Sequence, residues 1–165
     1  MALTFIEMKK KLTQTLLAVS ALFMVYYLVF HVYAHIFNPE AILEAAEDGD
    51  TERVRKLLGK GVDIYIRDGW SGTALMYAAR NCHSDVVAVL LDRGAEVNEY
   101  SRLNRTPLMW AASGGCEETV RFLLNRGADA SLEDQDGRTA LMIATERNHA
   151  EAAALIQAAC EGKKC

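Results

Sequence analysis

From Leu12 to Tyr33 the apolar positions run almost without a break, and from Ala41 onward they divide into short amphipathic groups. In the first stretch only Thr13, Gln14, Thr15, Ser20 and His31 interrupt, and no Asp, Glu, Lys or Arg occurs between Leu12 and Pro39. About twenty apolar residues in a helix cover roughly 30 Å, the hydrocarbon thickness of a bilayer. That pattern predicts one transmembrane helix within residues 12–37, behind a basic tail of residues 1–11. The second pattern predicts pairs of short helices, each pair closing on Gly61, Gly94 or Gly127, where a left-handed cap favours glycine.

One skeleton recurs in the second pattern. "SGTALMYAARNC", "NRTPLMWAASGG" and "GRTALMIATERN" place Thr73, Thr106 and Thr139 at a spacing of 33. The same period carries Leu75, Leu108 and Leu141, then Met76, Met109 and Met142, then Ala78, Ala111 and Ala144. "AILEAAEDGDTERVRKLLGKGVDI" is an opening unit that lacks the Thr-x-Leu start. A fixed period in this range means stacked supersecondary units. The alanines allow close approach of first helices, and Leu57-Leu58, Leu90-Leu91 and Leu123-Leu124 on the second helices are the predicted core. One such unit cannot bury its apolar face alone, so its neighbours must stack on it.

At these residues the chain resembles the ankyrin-repeat family, through the Thr-Pro-Leu start, the Ala-Ala pair and the Gly-Ala-Asp finger. The resemblance covers about Asn38 to Cys160 and divides residues 38–165 into about four repeats, 38–66, 67–99, 100–132 and 133–160. It implies an all-α ankyrin-repeat solenoid, built of helix-turn-helix units with β-hairpin fingers and preceded by the transmembrane helix. Three departures stand out. Met76, Met109 and Met142 replace the family's usual His, so the expected Thr–His hydrogen bond gives way to an adaptable thioether filling a small hole. Pro107 occurs in one unit only, and Cys82 stands at a glycine-type position.

Charge sets the topology. Lys9, Lys10 and Lys11 precede the apolar run, whereas Glu40, Glu44, Glu47, Asp48 and Asp50 follow it. The positive-inside tendency keeps the tail in the cytoplasm and translocates the repeats to the periplasmic, lumenal or extracellular side. Tyr26, Tyr27, Phe30, Tyr33 and Phe37 crowd the far half of the run, as interfacial aromatic belts do. Two alternatives remain open: a cleaved signal ending near Ala34, which would release a soluble exported protein, and a cytoplasm-facing repeat domain. Asn38-Pro39-Glu40 reads as a helix start with Asn at the N-cap, leaving almost no linker after the span. Beyond Asn38 the chain is acidic, with 15 Lys and Arg against 21 Asp and Glu, and has no basic cluster there. Nucleic acid is therefore not an expected partner.

The chemistry of catalysis is not visible. There is no glycine-rich phosphate loop, no His-Glu-x-x-His zinc motif and no Gly-x-Ser-x-Gly elbow. No enzyme activity, cofactor or small-molecule substrate is expected. His31 and His35 share one helical face, but no third or fourth ligand lies nearby, so an interfacial role takes precedence over a metal. Cys82 and Cys116 are one repeat plus one residue apart, both near inter-helix turns, so neighbouring repeats can bring them to disulfide distance. Cys160 and Cys165 can close a short terminal loop, and unpaired thiols are the alternative for all four.

The resemblance also implies where a protein partner binds, since ankyrin repeats use finger tips and the exposed side of first helices. On this chain that surface comprises Trp70, Arg102, Leu103, Arg105 and Arg138 on the fingers and Tyr77, Arg80 and Trp110 on the first helices. Trp, Tyr and Arg are the side chains that dominate binding hot spots. The expected function is protein–protein interaction by a membrane-anchored, non-catalytic accessory or adaptor subunit of a membrane complex. The exported alternative would protect or inhibit another protein.

Overall fold

The computed structural model describes residues 40–160 continuously, together with Asn38 and residues 4, 7, 9–10, 15–17 and 19–28. The chain divides into two compact units, residues 1–38 and 39–165. In the first unit, residues 15–17 and 19–28 are helical. Every large apolar side chain described there, from Leu16 to Leu28, is between 53% and 71% exposed. Among the described residues no helix is long and apolar enough to cross a membrane. Residues 29–37, the last nine of the predicted span and among them His31, Ala34 and His35, lie outside the described residues.

The second unit is a file of paired helices. The pairs are α1 (Ala41–Glu47) with α2 (Thr51–Gly59), and α3 (Ala74–Arg80) with α4 (Ser84–Asp92). They continue as α5 (Pro107–Gly114) with α6 (Glu117–Asn125), and α7 (Ala140–Glu146) with α8 (Ala150–Ala159). First helices pack on first helices and second on second: α1 on α3 on α5 on α7, and α2 on α4 on α6 on α8. The sequence explains the layering. Ala45, Ala46, Ala78, Ala79, Ala111, Ala112 and Ala144 are wholly buried, small enough to let successive first helices touch. Val54, Val87 and Val120, one in each of the first three pairs, are buried on the second helices with Leu90 and Leu123. The companions Leu57, Leu58, Leu91 and Leu124 pack on this core while staying partly exposed.

The helices α2, α4 and α6 end in the same way where the glycine was expected. Gly61, Gly94 and Gly127 have φ of 83°, 94° and 88°. The N–H groups of Val62, Ala95 and Ala128 donate back to the carbonyls of Leu57, Leu90 and Leu123 at 3.2, 3.0 and 3.0 Å. A residue with a β-carbon resists that left-handed turn, which consumes carbonyls the helix end would leave unpaired.

Three expectations are corrected. The fingers are not β-hairpins: among the described residues the only strand-like pairing is an isolated bridge between Arg67 and Thr73. The finger is too short for a ladder, and a single turn closes it. Met76 and Met109 are buried at 0% and 1%, but Met142 is 47% exposed. The first two are covered by the following repeat, whereas α7 belongs to the last helix pair described. Finally, α1 starts at Ala41, so its N-cap position is Glu40 and not Asn38; Pro39 lies outside the described residues.

The thioether takes an unusual part at α5. Thr106 Oγ1 accepts from the Met109 N–H at 3.4 Å, and the Thr106 N–H points to the Met109 sulfur at 3.5 Å. This has the reciprocal layout of a capping box, with sulfur where a carboxylate usually sits. Thr139 repeats the first half with Met142 at 3.4 Å. Thr73 does not, and its buried hydroxyl has no hydrogen-bond partner among the described residues.

The close stacking makes a contrast between two glycines. A β-carbon on Gly114 would overlap the backbone carbonyl oxygen of Arg80 in the preceding repeat, whereas one on Gly59 would meet nothing within 4 Å. Gly114→Ala is expected to cost about 1–3 kcal/mol, because backbone must move. Gly59→Ala should be neutral or stabilise by about 0.4–1 kcal/mol. Urea unfolding of the two variants checks both; equal midpoints would contradict the packing described.

Candidate functional site

Three turns of identical register form the finger tips. The N–H groups of Asp68, Ser101 and Asp134 donate to the carbonyls of Gly72, Arg105 and Arg138 at 3.1, 3.0 and 2.9 Å. Within each turn one residue is left-handed: Ser71, Asn104 and Gly137, at φ of 58°, 54° and 73°. The residue opening each turn also locks it from inside. Asp68 Oδ1 accepts from the N–H groups of Trp70 and Gly72 at 2.9 and 2.7 Å. Asp134 Oδ1 accepts from those of Asp136 and Arg138, both at 3.0 Å. Ser101 Oγ accepts from the Arg105 N–H at 3.2 Å.

Neighbouring turns are tied to one another. The Arg102 N–H donates to the Trp70 carbonyl and the Gln135 N–H to the Leu103 carbonyl, each at 3.1 Å. Gln135 Nε2 adds a bond to the Arg102 carbonyl at 2.8 Å. Arg67 Nη1 reaches the Tyr100 carbonyl at 2.9 Å, and its other nitrogen pairs with Glu99. Below the tips, Tyr65 and Asn98 occupy equivalent positions and donate to the carbonyls of Gly94 and Gly127 at 2.9 and 3.3 Å. The result is a ridge of three turns whose backbone is fixed from one repeat to the next.

On this ridge the predicted residues separate into two groups. Trp70 is 68% exposed, Leu103 is 46% exposed, and Arg102 is exposed beside them. Because the Trp70 carbonyl accepts from the Arg102 N–H, these three stand together. Arg105 and Arg138 are instead half-buried and bonded to the Asp134 carboxylate, Arg105 at 3.3 Å and Arg138 at 2.9 Å. They hold the finger in shape. On the first helices, the half-buried Tyr77 hydroxyl donates to Asp68 Oδ2, which joins helix to finger. Burial and the negative Asp68 push the Tyr77 phenol up to about 12. Trp110 lies 5.9 Å from the Tyr77 ring, centroid to centroid, with the Arg80 guanidinium 5.5 Å from its own centroid. Tyr77, Arg80 and Trp110 therefore form a packed cluster between α3 and α5, of which Arg80 is the exposed edge.

The residues the sequence reading passed over are Asp68, Ser101 and Asp134. Their signal is visible once the period is known: a short side-chain acceptor every 33 residues, each four positions before the residue whose N–H it accepts. Cys82, in the α3–α4 turn, and Cys116, in the α5–α6 turn, come together with Cα atoms 4.9 Å apart, and the structure joins their sulfurs in a disulfide. Cys165, and with it the Cys160–Cys165 pairing, lies outside the described residues. Among the described residues no three His, Cys, Asp or Glu side chains converge as a metal site requires.

Acid should loosen these fingers. Burial raises the Asp134 carboxyl, but Arg138 and the backbone N–H groups outweigh it and hold the pKa below the ordinary 3.8. Asp68 is lowered in the same way, with burial opposed by Tyr77, Gly72 and Trp70. A depressed carboxylate stabilises the fold fully above its unfolded pKa, and that stability is lost as pH falls through the lower folded value. Asp134→Asn should cost about 2 kcal/mol near neutrality through its charged hydrogen bonds. The gap to wild type should close below about pH 4, the ordinary carboxylate range. Unfolding free energies measured from neutral to acid pH check this; a gap independent of pH would contradict it.

The family model described as ankyrin repeats (3 copies) matches this chain at residues 16–101, 42–134 and 97–164. No curated protein matches it. Ankyrin repeats are protein-interaction modules and generally non-catalytic. With helix pairs stacked at a period of 33, left-handed glycine caps and tied finger turns, the chain belongs to the ankyrin-repeat family.

Proposed function

We propose that this chain is a membrane-anchored, non-catalytic adaptor or accessory subunit whose finger ridge docks another membrane protein. The observation that carries the reading is the triplet Trp70, Arg102 and Leu103, exposed side by side on turns with fixed backbones. An exposed Trp on a rigid support loses little conformational freedom on binding, and aromatic and Arg anchors contribute most at interfaces. Anchoring is supported by the N-terminal unit. Its helical residues 19–28 are uncharged, with Ser20 bonded to the Leu17 carbonyl, and at least half exposed wherever a large apolar side chain stands. A helix hydrophobic all round belongs in lipid or inside a larger body. Lys9 to Lys11 on one side of it and the acids from Glu40 to Asp50 on the other favour repeats on the extracytoplasmic side.

The test is affinity purification of tagged full-length chain from mild-detergent membrane extracts, with identification of the retained proteins. The comparison is wild type against Trp70→Ala/Leu103→Ala. A stoichiometric membrane partner should be held by the wild type and lost at least tenfold in the variant, whose thermal midpoint should be unchanged. Retention of that partner by a folded variant would move the contact off the ridge. Recovery of the wild type as a soluble chain shortened near Ala34 would replace the anchored reading by the exported one.

A further inference from the structure

The turn between paired helices recurs at Gly49, Cys82, Gly115 and Asn148, all left-handed, with φ of 76°, 64°, 70° and 61°. Thirty-four positions after each of the first three stands the N-cap of the next repeat's second helix: His83, Cys116 and His149. At the first junction the His83 ring lies over Gly49 so closely that a β-carbon there would be 2.5 Å from Nδ1. The same ring reaches back with Nε2 2.9 Å from the Glu47 carbonyl. At the third junction His149 lies over Gly115 in the same way, again 2.5 Å from a β-carbon built there. At the middle junction both members change together. Cys82 replaces the glycine, Cys116 replaces the histidine, and their Cα atoms are 4.9 Å apart. Cys116 Sγ sits 3.4 Å from the Arg80 carbonyl, the register equivalent of the Glu47 carbonyl.

Either change alone is unfavourable. A β-carbon at a left-handed position strains the backbone and would strike a histidine ring placed as at the other two junctions. A cysteine in place of histidine gives up the ring's reach to the preceding repeat. Made together, they put a covalent bond in the space of the ring.

We infer that the Cys82–Cys116 disulfide substitutes for the Gly–His contact at the middle junction. The stack is locked across its centre only after oxidation, and the repeat domain completes its fold in an oxidising compartment. The bond forms when the two thiols give up two protons and two electrons to a disulfide-bearing oxidant, which leaves as a dithiol. Cys82 is exposed and Cys116 is 3% exposed, so the mixed disulfide forms at Cys82 and the Cys116 thiolate resolves it. The inference does not rest on the docking ridge and concerns only the compartment and the folding of the repeats.

Thermal melts of the full chain in a Cys160→Ala/Cys165→Ala background, with and without reductant, test it. Reduction should lower the midpoint by roughly 10 °C or more, as expected for a cross-link closing a loop of this length. Adding Cys82→Gly/Cys116→His should rebuild the neighbouring contact, melting above the reduced parent and identically in both conditions. A parent midpoint indifferent to reductant, or a double variant no more stable than the reduced parent, would overturn the substitution. Unaltered chain taken from its host directly into alkylating agent gives a second readout. Linked Cys82 and Cys116 peptides are expected, and alkylation of both thiols would overturn the compartment assignment even if a partner co-purified through the ridge.

Discussion

No repeat of this chain can bury its own apolar face, and the rest of the structure depends on that. A first helix of seven or eight residues is too short to be stable alone in water, so its helicity comes from being packed. The buried alanines bring neighbouring first helices close, and the valines and leucines of the second helices fill the layer behind them. Order therefore passes from repeat to repeat by contact, as in a one-dimensional lattice. The same rule explains the exceptions: Met142 differs from Met76 and Met109 only in what lies next along the file.

The fingers inherit their rigidity from the stack. Each turn is closed by its own backbone and by an aspartate or serine inside it, and then fastened to its neighbour by a single main-chain bond. Charge is used inwardly. Asp134 gathers Arg105 and Arg138 beneath the tip, and Arg67 spans two fingers to reach Glu99. Among the side chains left to solution are an indole, an isobutyl group and a guanidinium, held on a backbone that has little entropy left to lose. On the function proposed above, those side chains and that backbone are the recognition surface.

Much of this could be read from the chain. The period of 33 and the glycine caps are local patterns repeated often enough to be unambiguous, and they survive in the structure, whereas of the leucine pairs only Leu90 and Leu123 are fully buried. The roles of Arg105, Arg138, Tyr77 and Trp110 could not be read in the same way. Arg105 and Arg138 meet on Asp134, one of them 29 residues away, and Tyr77 and Trp110 meet across a repeat boundary. Composition marks such side chains as binding types, but only their partners decide whether they face outward. The finger shape was also hidden, because a mostly polar segment five residues long looks the same whether it pairs as a hairpin or closes as one turn.

The central claim is that the finger turns are as firmly fixed as the helices they stand on, because each is bonded to the next. Amide hydrogen exchange tests this most directly at the Arg102 and Gln135 N–H groups, which lie in exposed loops yet donate across repeats. Both should be protected nearly as strongly as the amide of the buried Val87, opening only when the stack opens. Exchange at Arg102 and Gln135 as fast as at an unbonded surface amide would contradict the account.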